Sequence, residues 1–264
     1  AWDMARRGGP AADAAGYICV MAGNGAFETT LDANGFPSAQ DYGNSYLKIS
    51  TAGQQLAVVD YFAMWNAVSE SVADLDLGAS GPIILPDLTD ASGNVKHLAA
   101  GAGKDGNIYI VDRDSMSKFN SSRNNIWQEV DGALSQLARS TGAYFNGRLY
   151  LADVAPLKAF SITDARLSTS PTSVSVCLGY PGGPPVISAN GNSNGIVWAI
   201  DHASSAILHA FDATNLAVEL YNSTQAANKR DQFGAGVKFT VPTVVDGKVF
   251  VGSKTGVGVF GLLH

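Results

Sequence analysis

Along this chain, apolar and β-branched residues alternate with polar ones in short runs, and the runs stop at Gly, Pro, Asn or Asp. The clearest stretch reads Pro185-Val186-Ile187-Ser188, then Asn194-Gly195, then Ile196-Val197-Trp198-Ala199-Ile200, followed by strand-like runs over 206–212 and 218–221. Alternation with a period of two, bounded by turn residues, predicts half-buried strands. Asn-Gly between two such runs predicts a tight hairpin, because both central residues of a type I′ turn take positive φ. Together these features predict four consecutive antiparallel strands.

The same grammar recurs in four other places. Strands are expected at 10–13, 17–21, 46–50 and 56–59; at 82–85, 97–100, 108–112 and 126–129; at 142–145, 148–151 and 157–161; and at 241–245, 248–251 and 258–260. Hairpin glycines are read at Gly147, Gly195 and Gly247, which are 48 and 52 residues apart. A meander repeating near that period predicts an all-β fold, a β-propeller of about five four-stranded antiparallel blades. The blade-like repeats run over about 8–62, 80–130, 139–178, 183–222 and 238–264, within one propeller domain spanning 1–264. The fifth repeat ends after its third strand, and unpaired edges invite association. The repeats are therefore expected either to close as a small ring or to form part of a larger propeller, with N-terminal blades upstream or a partner chain completing it. A polar insertion over 24–44 and a short helix over 63–69 interrupt the pattern; such insertions are expected at a face, where they shape a binding site.

Composition narrows the function classes. Only 15% of the 264 residues are charged, and 29 are Gly, consistent with short strands and tight turns. The net charge of −6 argues against binding nucleic acid through its phosphates. No apolar run is long enough for a membrane span. Cys19 and Cys177 are far apart, lack metal-type spacing, and are expected as small buried hydrophobes. Ser115-Met116-Ser117-Lys118 satisfies S-x-x-K by chance, since its partner motifs are missing. The four histidines lack zinc-protease spacing.

Two segments carry a resemblance. Asp74-Leu75-Asp76-Leu77-Gly78-Ala79-Ser80-Gly81-Pro82-Ile83-Ile84-Leu85, followed by Gly103-Lys104-Asp105-Gly106-Asn107-Ile108-Tyr109-Ile110-Val111-Asp112-Arg113, resembles the later blades of the pyrroloquinoline quinone (PQQ) dependent alcohol dehydrogenases. Gly23-Asn24-Gly25 is similar to the family's Gly-Asn-Gly or Gly-Asn-Pro. The resemblance implies a propeller that holds PQQ and Ca2+ on its inner face. It places Asp76 at the catalytic aspartate and a calcium ligand, Lys104 at the base touching the quinone carbonyls, and Asn24 at a calcium ligand. Arg6 and Arg7, ahead of the first inner strand, are candidates to contact an anionic ligand. A periplasmic or secreted location is implied as well.

The chemistry is coherent. Calcium takes hard oxygen ligands, an aspartate accepts the alcohol proton as hydride leaves carbon, and a cation stabilises charge developing on the quinone. The chain departs from the family after Gly8-Gly9, where a Trp usually floors the quinone and this chain reads Pro10-Ala11-Ala12-Asp13. It also lacks the adjacent Cys pair, and the family's carboxylate calcium ligand lies in blades upstream of this sequence. Read with those departures, the chain is expected to be a PQQ-like propeller related to, or a relic or fragment of, a quinone-dependent alcohol or sugar dehydrogenase; any enzyme activity would be that of an oxidoreductase. The alternative is a non-catalytic binding or scaffolding propeller that takes a small molecule or carbohydrate. A carbohydrate or ester hydrolase is a third class.

Overall fold

The computed structural model of the chain describes residues 9–136, 140–180, 182–202 and 204–262. The chain divides into two compact units, residues 1–141 with 163–167, and residues 142–162 with 168–264.

In the first unit, the first alternating runs form β1 (Ala11–Ala12), β2 (Ile18–Met21), β3 (Ser45–Ser50) and β4 (Ala57–Ala63), an antiparallel meander in chain order. The register sets Met21 opposite Tyr46 and Tyr46 opposite Phe62. Alternation then buries Cys19 and Met21 on one face of β2. The resulting core is aromatic, with Tyr46, Tyr61, Phe62 and Tyr109 at most 1% exposed. Rings of this size each bury a large apolar area, which dominates the stabilisation of so small a sheet. Helix α1 spans Ala67–Val72 and starts later than the alternation suggested. The delay follows from β4, whose last residue, Ala63, is still paired with Ser45.

The second sheet comprises β5 (Ile83–Ile84), β8 (Leu98–Ala102), β9 (Ile108–Asp112) and β11 (Gln128–Val130), ordered β11-β9-β8-β5. Between β5 and β8 lies a two-stranded ribbon, β6 (Leu88–Thr89) and β7 (Val95–Lys96), which the strand pattern did not reveal. The short β10 (Lys118–Phe119) pairs in parallel with β4 and lengthens the first sheet. Every residue of β8 is buried, which explains its small side chains.

The second unit begins with β12 (Ala143–Phe145), β13 (Arg148–Ala152) and β14 (Pro156–Thr163); β15 (Arg166–Leu167) belongs with the first unit, and β16 (Ser173–Cys177) pairs with β14. The next sheet is the meander β17 (Val186–Asn190), β18 (Ser193–Asp201), β19 (Ile207–Asp212) and β20 (Asn215–Asn222). The last has three strands, β21 (Thr243–Val245), β22 (Lys248–Gly252) and β23 (Val257–Phe260).

Two expectations need correction. Asn194-Gly195 is not the β17–β18 turn: Asn190 pairs with Ser193, so Gly191-Asn192 makes the turn and β18 already contains Gly195. Gly195 is glycine for another reason, since a Cβ there would collide with the Phe145 ring and lie 2.9 Å from the Ala213 methyl. Cys177 is exposed, whereas Cys19 is buried as expected. Cys177 closes β16, whose outward positions also expose Val174 and Val176.

Candidate functional site in the first unit

Three segments meet beyond the C-terminal end of β2. Gly78 makes the meeting possible: its N–H donates to the Ala22 carbonyl at 3.0 Å, and a Cβ on it would crowd that carbonyl and sit 2.5 Å from the Gly23 nitrogen. Only the absent side chain lets the 76–79 turn lie directly on the strand end. Asn44 pins the same turn, its Oδ1 accepting the Leu77 N–H at 2.9 Å while its Nδ2 donates to the Ser71 hydroxyl of α1 at 3.1 Å. From the other side, the Lys104 N–H donates to the Asp76 carbonyl at 3.0 Å. This stacking brings Asn24, Asp76 and Lys104, which are up to 80 positions apart in sequence, into one cluster.

Lys104 is the cluster's centre. Its ammonium lies 2.6 Å from Asp76 Oδ2 and 3.2 Å from Asp74 Oδ2, and donates to the Asp74 carbonyl at 3.0 Å. Asp76 accepts the Asn24 backbone N–H on Oδ1 at 3.2 Å, and the Asn24 amide donates to Asp74 Oδ1 at 3.2 Å. The Lys104 and Asp76 side chains are 9% and 11% exposed, so the pair is largely desolvated; Asp74 is 71% exposed and meets solvent. Two carboxylates around one ammonium leave a net negative site. The next residue, Asp105, locks the lysine's turn by accepting from the Asn107 N–H and the Tyr109 hydroxyl. Burial raises the Asp105 carboxyl above the usual carboxylate range, and raises Glu70 of α1, with Asp105 adding repulsion.

Asp74 was not singled out in the sequence, although Asp74-Leu75-Asp76 has the spacing that puts two carboxylates on one side of an extended segment. Its φ of +58° supplies what spacing alone does not show, turning its carbonyl as well as its carboxylate toward Lys104. Asn44 and Ser71 carried no motif at all.

The 24–44 insertion is folded rather than loose. Bridges join Phe27 to Tyr42 and Leu31 to Pro37, and the Tyr61 hydroxyl donates to the Gly35 carbonyl at 2.9 Å. Together with α1 it lines a cavity of about 700 Å³ that includes Asn24, Glu28, Asp41 and Ser71.

Other candidates separate from this cluster. Arg6 and Arg7 lie outside the described residues. In the 10–13 segment, Ala11–Ala12 is strand β1, and Asp13 turns inward to pair with Arg113 at 2.8 Å while capping the Ala15 and Tyr17 N–H groups. That segment brings no aromatic ring. Ser115 to Lys118 form no helix, and the Lys118 ammonium donates to the Asn34 carbonyl. His209 pairs with Glu219 at 2.5 Å and stacks on Phe211, and His97 pairs with Asp114 at 2.8 Å. No group of three or more His, Cys, Asp or Glu side chains among the described residues is arranged to hold a metal ion. No helix among them is long and apolar enough to cross a membrane.

The successive antiparallel sheets define an all-β chain of the β-propeller class, and solved structures bear this out. The chain is similar to a quinohemoprotein alcohol dehydrogenase from Comamonas testosteroni (14% identity, TM-score 0.54) and to quinohemoprotein alcohol dehydrogenase ADHIIG from Pseudomonas putida HK5 (15%, 0.53), each match covering 92% of this chain and 43% of the dehydrogenase. It is also similar to a chain of the mitotic checkpoint complex (9%, 0.52), covering 93% of this chain and 57% of that one. This chain thus spans about half the length of the structures it matches. At these identities the likeness shows the fold. No family profile and no curated protein sequence matches the chain.

Proposed function

We propose that this chain is the cofactor-facing part of a quinone-dependent alcohol or sugar dehydrogenase-like propeller, with its site at Asp76, Lys104 and Asn24. The observation that supports the reading is the convergence of those three residues, each implied separately by resemblance, in one hydrogen-bonded cluster.

Asp76 and the Asn24 amide oxygen are hard oxygen donors suited to calcium, and Lys104 is a desolvated cation suited to a quinone oxygen. They would supply two of the six to eight oxygens calcium usually takes. When bound, the quinone supplies the hydride acceptor and the ion polarises it. Asp76 would take the hydroxyl proton of the alcohol on Oδ1, which among the described residues holds only the Asn24 N–H at 3.2 Å. Lys104 would stabilise negative charge developing on a bound quinone oxygen, an effect that its largely desolvated setting strengthens. Asn24 and Asp74 hold these two side chains in position.

Dye-linked oxidation of alcohols and aldoses after addition of PQQ and Ca2+ tests the activity, and calorimetry or quinone absorbance tests binding. Saturable, calcium-dependent quinone binding weakened by Asp76→Asn supports the reading; no quinone binding refutes it.

A second reading, a non-catalytic binding or scaffolding propeller, is favoured by the ringless 10–13 segment and by the double ion pairing of Lys104. Quinone binding without turnover on any alcohol or sugar would select it.

A further inference from the structure

The second unit contains a cavity of about 690 Å³ unrelated to the cluster above. Its size falls within the roughly 300–1,000 Å³ of small-molecule sites. Four aromatic side chains line it: Trp198 of β18, Tyr221 of β20, Phe233 and Phe260 of β23. Alternation places them there. Trp198 and Ile200 share one face of β18 with the apolar cluster that also contains Val249 and Val251, while Val197 and Ala199 join a different cluster on the opposite face. Trp198 donates its Nε1–H to the Ser188 hydroxyl at 2.9 Å, fixing the indole, and Phe233 meets Phe260 edge-on at 5.4 Å.

Charge marks one side of this cavity. Arg230 grips Asp231 with Nε at 2.7 Å and Nη2 at 3.1 Å, and the Tyr221 hydroxyl donates to the same carboxylate at 2.5 Å. These bonds hold the Asp231 carboxyl below the usual range, so it stays ionised and forms a net-neutral pair with Arg230, whose remaining N–H groups are the donors left for a ligand. The arginine's Nη1 carries no bond among the described residues, and its side chain is 55% exposed. Outside the lining, the exposed Lys248 and Asp246 flank the Gly247 turn with opposite charges, so Arg230 is the cation of the cavity wall.

We infer that this cavity binds a planar aromatic anion, an aryl carboxylate or sulfonate, whose ring lies among Trp198, Phe233 and Phe260 and whose charge meets Arg230. Aromatic rings favour stacked or edge-to-face partners, and a guanidinium edge is matched to a two-oxygen anion. The site stands apart from the proposed quinone chemistry and does not depend on it.

The test is calorimetric titration of the intact chain with naphthalene-2-sulfonate and with its neutral counterpart, naphthalene-2-methanol. Expected are one saturable site for the sulfonate, at least tenfold weaker binding of the neutral compound, and quenching of Trp198 emission that disappears in Trp198→Phe. Arg230→Gln should weaken the sulfonate about tenfold or more and leave the neutral compound unchanged, with Arg230→Lys retaining part of the preference. Phe260→Ala should weaken both, and circular dichroism establishes that each variant is folded. Equal affinity for the two compounds, indifference to Arg230→Gln, or a self-associating chain whose dimer the sulfonate does not compete with would each overturn the inference.

Discussion

The Lys104–Asp76 pair makes an asymmetric prediction. Lys104 Nζ has three oxygen partners, two of them from Asp74, whereas among the described residues the Asp76 carboxylate has only the ammonium and one long backbone hydrogen bond. Removing the lysine with Lys104→Met strands a carboxylate that is 11% exposed with no counter-ion. Breaking a buried pair in this way costs about 3–5 kcal/mol. Removing the acid with Asp76→Asn leaves Lys104 on the Asp74 carboxylate and carbonyl and keeps an acceptor for the Asn24 N–H. Its cost is expected nearer the loss of one charge-assisted hydrogen bond, about 1.5–3 kcal/mol. The double variant leaves only the solvated Asp74 carboxylate without its lysine and no buried unpaired charge, so it should be more stable than Lys104→Met alone. Urea unfolding of the four proteins, read by hydrogen exchange of β2, β8 and β9 so that the first unit is reported by itself, gives the double-mutant cycle. Equal costs for the two single variants, or a coupling below about 0.5 kcal/mol, would show that the pair is solvent-screened and would refute the reasoning.

Further outcomes follow from the packing. Gly78→Ala should destabilise the first unit by about 1–3 kcal/mol, the range for overpacking, and abolish any quinone binding, because its methyl meets backbone rather than a movable side chain; unchanged thermal stability would contradict the close approach. Burial pushes the Cys19 thiol up to about 11, so at pH 8 a thiol reagent should label only Cys177 in the native chain and both cysteines in denaturant, as mass spectrometry reads. Glu129 is raised above the ordinary carboxylate range by burial, so the folded state holds its proton more tightly than the unfolded state. Its contribution is therefore destabilising above the folded pKa and vanishes below the unfolded one, near 4.3. Glu129→Gln should gain stability relative to the parent at pH 7, with the difference shrinking as pH falls toward 4; a difference that grows on acidification reverses the assigned sign.

Much of this protein is legible in its sequence. Period-two alternation and the turn chemistry at Asn146-Gly147 and Asp246-Gly247 are local properties of the backbone, so strands such as Ile108–Asp112 were identified with both ends correct. The same local logic misassigned Asn194-Gly195, where glycine answers to Phe145 and Ala213, residues remote in sequence. It could not see the β6–β7 ribbon, whose strands are two residues long and hold no periodicity.

For the site, resemblance marked Asn24, Asp76 and Lys104 but was silent on Asp74, Asn44 and Ser71. Sequence by itself determined the strand repeat and the residue types able to carry proton transfer and charge stabilisation, because periodicity and side-chain chemistry travel with the chain. Only the tertiary structure decided that Gly78 seats the 76–79 turn on β2, that a left-handed Asp74 shares Lys104 with Asp76, and that Asp13 faces Arg113 where a quinone floor was sought. Those outcomes depend on steric contacts and on the desolvation of charges between segments far apart in the chain, and neither exists until the sheets have packed.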